Sequence, residues 1–278
     1  MRVWVCGVRG STPAPGPEFV RYGGNTSCVA LGHGDDPPSL ILDAGTGIRR
    51  LGGLLAGAPF DGALLLGHLH WDHTQGLPFS PSLDSPGSTV ALHLPAQGDP
   101  VEVLSRAMSP PHFPILPTDL RGNWTFTSLE AGTHTIAGFD VLALDIPHKG
   151  GRTFGYRITS PGSGASMAYL SDHWPISVAP GPDGLGEYHP AVLELCTGVD
   201  VILHDAQYTA AELPGRKDFG HSAIEYAVGL SERCGSAVLL YHHDPNRTDD
   251  ALDALVAPYA GHVPPIAAAF EGQVLTLP

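Results

Sequence analysis

The chain is poor in charge, poorer still in positive charge, and has neither clustered cysteines nor a long apolar run. Only 15% of its 278 residues are charged, with 14 Lys and Arg against 28 Asp and Glu, a formal net charge of −14. A long polyanion would meet net repulsion from such a surface, so large nucleic acids are poor expected partners and small molecules fit better. Its four cysteines, Cys6, Cys28, Cys196 and Cys234, lie far apart and form no Cys-x-x-Cys pair, which argues against a thiolate zinc knuckle and a disulfide framework. No run approaches membrane-spanning length, and the apolar stretch at the start is too short for a secretory signal. The expectation is a protein of the reducing cytoplasm with no membrane partner. No P-loop pattern occurs either, so nucleoside triphosphate binding is not implied.

What is present is 42% hydrophobic residues together with 35 glycines and 27 prolines scattered without a period, the mark of many short strands joined by tight turns. Strands are expected over 2–8, 27–32, 39–43, 63–67, 90–94, 124–128, 140–146, 153–158, 167–171, 201–205 and 237–241, and helices over 48–57, 100–108, 223–234 and 249–259. Strands dominate the first two thirds and mix with helices later, which favours layered α+β architecture in one domain over 1–278. Two proline-rich stretches, 109–117 and 180–186, are too turn-prone for regular elements and are expected as surface loops able to wall a pocket.

The chemistry concentrates in His68-Leu69-His70-Trp71-Asp72-His73. It follows an apolar run of strand length, and two imidazoles two residues apart at a strand end project to the same side. Asp72 and His73, in a turn or first helical turn, are rotated to a neighbouring direction, so the run offers ligands to two adjacent sites. Imidazole and carboxylate without thiolate suit a catalytic site with an open position, for zinc, iron or manganese. Two shells need more ligands, and three further candidates follow apolar runs: His148, Asp172 and His242. Because His243 adjoins His242 and a strand can turn only one of them to the site, the choice between them stays open.

In that order these residues resemble the metallo-β-lactamase fold superfamily, over most of the chain. The resemblance implies an αββα sandwich with two divalent metal ions at one edge, zinc first, with manganese and iron also fitting. His68, His70 and His148 would hold one ion, Asp72, His73 and His242 the other, and Asp172 would bridge them. Gly7-Val-Arg-Gly-Ser11, Tyr22-Gly-Gly-Asn-Thr-Ser-Cys28, Leu42-Asp-Ala-Gly-Thr-Gly47, the His148–Arg157 segment and Gly220-His221-Ser222 are similar to the branch that includes phosphodiesterases and the tRNA 3′-processing endonuclease, in which dimers are common.

A phosphodiester leaving group departs as an alkoxide and benefits from a positioned acid. His221 is the candidate, oriented by Asp205, which stands where the family pattern often has glutamate. Asp72 belongs to the catalytic machinery through the second ion. The reading is a dinuclear metal-dependent hydrolase of small phosphodiesters such as a cyclic nucleotide, with water activated between the ions. Alternatives are a tRNA-processing nuclease, a lactone or ester hydrolase, and a non-hydrolytic accessory protein of the same fold. The glycines of 23–26 and 45–47 serve either turns or a phosphate.

Overall fold

A strand hidden on both faces must lie in a sheet that is covered on both sides. Residues Ser166–Leu170 show the pattern: Met167 and Tyr169 point one way, Ala168 and Leu170 the other, and all four are buried. The computed structural model, which describes residues 1–278, has fourteen strands. They are β1 (Arg2–Gly7), β2 (Cys28–Gly32), β3 (Leu40–Leu42), β4 (Asp61–Leu65), β5 (Thr89–Pro95), β6 (Asn123–Leu129), β7 (Gly132–Ile136), β8 (Phe139–Asp145), β9 (Phe154–Thr159), β10 (Ser166–Leu170), β11 (Val201–Asp205), β12 (Ala237–Tyr241), β13 (Ile266–Ala268) and β14 (Val274–Thr276). One sheet runs β14-β1-β2-β3-β4-β5-β6 and the other β13-β12-β11-β10-β9-β8-β7.

The α-helices are α1 (Leu51–Leu54), α2 (Trp71–Thr74), α3 (Pro100–Ser105), α4 (Pro190–Cys196), α5 (Leu213–Arg216), α6 (Ile224–Cys234) and α7 (Asp249–Val256). Val3, Leu31, Leu65, Val141, Tyr156 and Leu203 belong to the apolar layer between the sheets. Alternate residues of the same strands, such as Ala168, Ile202 and Leu240, pack outward with α4 and α6, while Ile41, Leu64 and Leu92 pack outward with α1 and α3. The layer order is therefore the αββα sandwich that the resemblance implies. No helix is long and apolar enough to cross a membrane.

β3 to β6 are parallel neighbours, and so are β10 to β13. Their carboxyl ends deliver the residues after β3, β4, β10, β11 and β12 toward a common centre, the position at which open α/β sheets bind ligands.

Every expected strand is present, with ends shifted by no more than two residues. The helix expected over 48–57 is different: a 3₁₀ turn, Thr46–Arg50, runs into the single turn α1. Gly52 and Gly53 weaken any longer helix, and Ala56 and Gly57 both take positive φ. The expected 100–108 helix stops at Ser105, three residues short of its expected end. Strands β7, β13 and β14 and helices α4 and α5 were not among the expected elements. Both proline-rich stretches lie outside strands and α-helices, as anticipated.

Candidate metal centre

β4 ends at Leu65, and the next residues carry His68 and His70 out over the sheet edge before α2 turns Asp72 and His73 inward, both buried. His148 follows β8, Asp172 follows β10 and His242 follows β12. The structure brings all seven together in two overlapping groups. His68, His70, His148 and Asp172 form one, and Asp72, His73, Asp172 and His242 the other, each with its ligand-type atoms within 4.8 Å of one another.

Asp172 stands between them. Its Oδ2 lies 3.7 Å from His68 Nε2 and 3.6 Å from His148 Nε2, while its Oδ1 lies 2.9 Å from His73 Nε2 and 3.3 Å from His242 Nε2. Asp72 Oδ2 faces the same two nitrogens of the second group, at 3.3 and 3.1 Å. Yet His68 Nδ1 and Nε2, His73 Nε2 and Asp172 Oδ1 are buried without a hydrogen-bond partner. Near in distance but without hydrogen bonds, His68 Nε2, His73 Nε2 and Asp172 Oδ1 stand among the other ligand-type atoms of the two groups. Buried polar atoms are otherwise almost always paired, so the donor set fits cations.

Charge points the same way. Asp43, Asp72, Asp172 and Asp205 are all buried, and buried anions left uncompensated cost several kcal/mol each, roughly. Two divalent ions would supply four positive charges. Burial disfavours charge on His242, but Asp172, Asp72 and Asp205 outweigh it and raise its pKa to about 9. Burial likewise works against His73, and Asp172, Asp72 and Asp43 lift it well above the usual histidine value. Burial would raise the carboxyls of Asp72 and Asp172, but the neighbouring histidines hold both well below the ordinary range. In the first group burial prevails. It lowers His148 to about 4 and drives His68 and His70 down as well, leaving these imidazoles neutral.

Other groups fix the tautomers. His148 Nδ1 donates to the Gly220 carbonyl at 2.7 Å, which turns Nε2 toward the cluster. His73 Nδ1 donates to Asp43 Oδ2 at 2.7 Å, and the same carboxylate accepts from Tyr169 Oη and from the Gly67 N–H. His242 Nδ1 lies 3.2 Å from Gln207 Oε1, and the Ser11 N–H donates to Asp72 Oδ2 at 2.7 Å. Asp43 and Gln207 were not picked out from sequence as site residues. Asp43 had a signal, a carboxylate directly after the apolar run Leu40-Ile-Leu42; Gln207 had none.

His242 rather than His243 enters the cluster. His243 Nε2 donates instead to the Ala269 carbonyl, 2.9 Å away. His221 and Asp205 are also adjacent to it: Asp205 Oδ2 is 2.9 Å from His221 Nδ1, which lies 3.8 Å from Asp172 Oδ2. Asp205 is held in turn by the N–H groups of His173 and Gln207. His173 and His204 hydrogen-bond to each other, buried, and His112 lies at a neighbouring cavity.

The cluster opens into a cavity of about 380 Å³ lined by Ser11, His70, Asp72, Asp172, Phe219 and His221, among others. The glycine-rich turns do not reach into it. A Cβ on Gly45 would fall 2.3 Å from the Asp72 carbonyl oxygen, and one on Gly24 2.2 Å from that of Ala14, so close backbone packing accounts for these glycines. Ser11, Asp43 and His242 are three of the five non-glycine residues with positive φ; backbone strain of this kind gathers at functional sites.

The family profile described as a beta-lactamase superfamily domain matches residues 40–243, from β3 through the paired histidines. No curated protein sequence matches the chain. Among solved structures, a diphosphatase from the PhnP family superposes with a TM-score of 0.71 at 17% identity, covering 99% of this chain and 97% of the other. The short form of human tRNase Z gives 0.66 at 18% identity with 100% of both chains covered. Zn(2+)-bound PqqB from Methylobacterium extorquens gives 0.67 at 16% identity, again over 100% of both. At these identities the likeness is one of fold.

Proposed function

Because the chain belongs to the beta-lactamase superfamily, with the profile match running over residues 40–243, we propose that it is a dinuclear metal-dependent hydrolase of small phosphodiesters. The observation that carries this reading is the placement of Asp172 between two histidine groups, with the His221–Asp205 pair beside the same carboxylate. His68, His70 and His148 would hold one ion, Asp72, His73 and His242 the second, and Asp172 both.

Two divalent ions so held would supply Lewis-acid stabilisation of a phosphoryl oxygen and a lowered pKa for water. The chain's own residues do the rest. Asp43 and Gln207 keep Nε2 of His73 and His242 turned inward. His221 gives its Nδ1–H to Asp205, leaving Nε2 as the nitrogen able to pass a proton to a departing alkoxide. Aspartate serves here in place of glutamate because β11 ends close enough to make the 2.9 Å contact. An open, small cavity on a chain of net charge −14 suits a compact diester better than a long polyanion. The four cysteines are free and buried, in keeping with a reducing compartment, and we read the cytoplasm as its place.

The direct test is reconstitution. The purified chain should bind about two equivalents of zinc, manganese or iron and cleave bis(p-nitrophenyl) phosphate; a metal content below one equivalent would sink the dinuclear reading.

pH should separate the two ions. His73 and His242 must give up protons before they can ligate, whereas His68, His70 and His148 are already neutral. Affinity for the second equivalent should therefore fall as pH is lowered below about 9, by about tenfold per unit for each proton displaced. Calorimetric zinc titrations between pH 6 and 9 (roughly the window set by that raised pKa) read this directly. Equal pH dependence of the two equivalents would count against the assignment.

Asp43→Ala should weaken the ion held by His73 by about 10- to 100-fold, the usual cost of losing a carboxylate behind a ligating histidine. Chelator competition measures it, and unchanged affinity would show that Asp43 serves the fold alone.

A further inference from the structure

Within the ligand run itself, Trp71 supplies no ligand-type atom to the metal centre. It is 75% exposed, although it stands between His70 and Asp72. The single turn α2 divides its residues by face: Asp72 and His73 turn to the cluster, while Trp71 and Thr74, three apart, turn to a second cavity of about 330 Å³. That cavity is apolar, with nine hydrophobic residues among its thirteen, and no Asp, Glu, Lys or Arg lines it. It shares Leu69 and Trp71 with the metal-centre cavity, so the two lie side by side.

Its aromatic walls come from three separate segments. Phe79 is 57% exposed and meets Phe113 edge to face, with ring centroids 5.9 Å apart. Phe113 comes from the proline-rich loop 109–117, where the N–H groups of His112 and Phe113 both donate to the Ser109 carbonyl, so the ring is presented by a closed turn. Met108 and Val103 complete the floor. Large aromatic side chains held open beside a polar centre mark a place where an apolar ligand group displaces water.

Resting on the phosphodiester reading above, we propose that the substrate carries an uncharged, planar aromatic ester group that seats against Trp71, Phe79 and Phe113 while its phosphate lies at the metal centre. A second phosphate or a carboxylate on that arm is disfavoured, since no Lys or Arg lines the pocket and His112 is the one basic side chain in its wall. Charge on the substrate belongs at the metal cluster; flat apolar area belongs in the pocket. Selectivity for this group is set by the loop 109–117 and by the exposed face of α2, neither of which supplies a ligand.

Two probes with a common leaving group test it: methyl p-nitrophenyl phosphate and (2-naphthyl)methyl p-nitrophenyl phosphate, given to the metal-loaded protein. The naphthylmethyl ester should be preferred in kcat/KM by about 10-fold or more, chiefly through KM, as expected for ring stacking on aromatic side chains. Trp71→Ala and Phe113→Ala should each reduce that preference at least fivefold (roughly, on the same stacking scale). The ratio cancels any general loss of metal or fold. Calorimetric binding of the two product monoesters, methyl phosphate and (2-naphthyl)methyl phosphate, keeps the two readings apart. Preference in binding, lowered by both substitutions but without hydrolysis of either diester, would sink the phosphodiesterase reading and uphold the pocket. Equal use or equal binding of the two probes, or a preference unchanged in both variants, would overturn the pocket.

Discussion

Asp172→Ala should leave a folded chain that has lost both metal equivalents and about a thousandfold or more of its phosphodiesterase turnover, the equivalent of several kcal/mol of transition-state stabilisation. No other residue occurs in both four-membered groups. Its Oδ1 faces His73 and His242 and its Oδ2 faces His68 and His148, all within 3.7 Å. Removal takes away the one negative charge that the two proposed coordination shells share and leaves the first with no carboxylate at all. Asp72→Ala is the informative partner, because Asp72 contacts only the second group: one equivalent should remain, held by the three neutral imidazoles together with Asp172. Metal analysis after gel filtration distinguishes them, with circular dichroism to confirm that both variants are folded. Two equivalents retained by Asp172→Ala would refute the bridging role.

Why so much of this centre could be read from sequence is a matter of chain geometry. Four of the seven residues sit in one run of six, because a short extended connection from β4 carries His68 and His70 over the sheet edge and the helical turn α2 then aims Asp72 and His73 in a second direction. His148, Asp172 and His242 were visible for a related reason: each ends an apolar stretch, and parallel strands bring their carboxyl ends to one rim. Asp43 is the same kind of residue, closing the strand expected over 39–43, but a single carboxylate there carries no local sign of the histidine it supports. Its role depends on the parallel pairing of β3 with β4, which sets it beneath His73. Gln207 acts through a contact across 35 residues of sequence, and nothing local announces it.

The pair His242 and His243 shows where period-two reasoning stops. Tyr241 faces the layer between the sheets, so strict alternation would send His242 toward the outer helices. The chain leaves β12 at Tyr241, and His242 takes a φ of 56°, which swings its ring to the cluster. Gly10 lies against that ring: a Cβ there would be 2.3 Å from His242 Nδ1. Left-handed backbone at a histidine is set by tertiary contacts, not by local preference. The unexpected strands β13 and β14 have three residues each and exist because distant partners, β12 and β1, offer open edges. The glycine-punctured segment 48–57 failed in the opposite sense, its apolar spacing promising a helix that the glycines do not sustain.

His221→Ala should lose activity in proportion to how badly the leaving group needs a proton. With p-nitrophenolate, which departs readily as an anion, the loss should be small, within about tenfold; with an alkyl leaving group it should reach about 10²- to 10⁴-fold, the range general acid catalysis contributes. The geometry requires this division. His221 Nδ1 is committed to Asp205 at 2.9 Å and the ring lines the cavity beside Asp172, so its remaining nitrogen is placed to serve the departing oxygen, not the phosphorus. Asp205→Asn should follow the same dependence more weakly, because an amide can still orient the ring but cannot stabilise its charged form. Metal content is the deciding control. His221 also lies with Asp205 and His242 in a third group whose ligand-type atoms are within 4.8 Å of one another. If His221→Ala lost an equivalent of metal, and lost activity equally on both leaving groups, the residue would be a ligand and the acid would have to be sought elsewhere. Two equivalents retained with a steep dependence on leaving-group basicity would identify His221 as the proton donor and make phosphodiester cleavage, with its poor alkoxide leaving group, the chemistry this pair is built for.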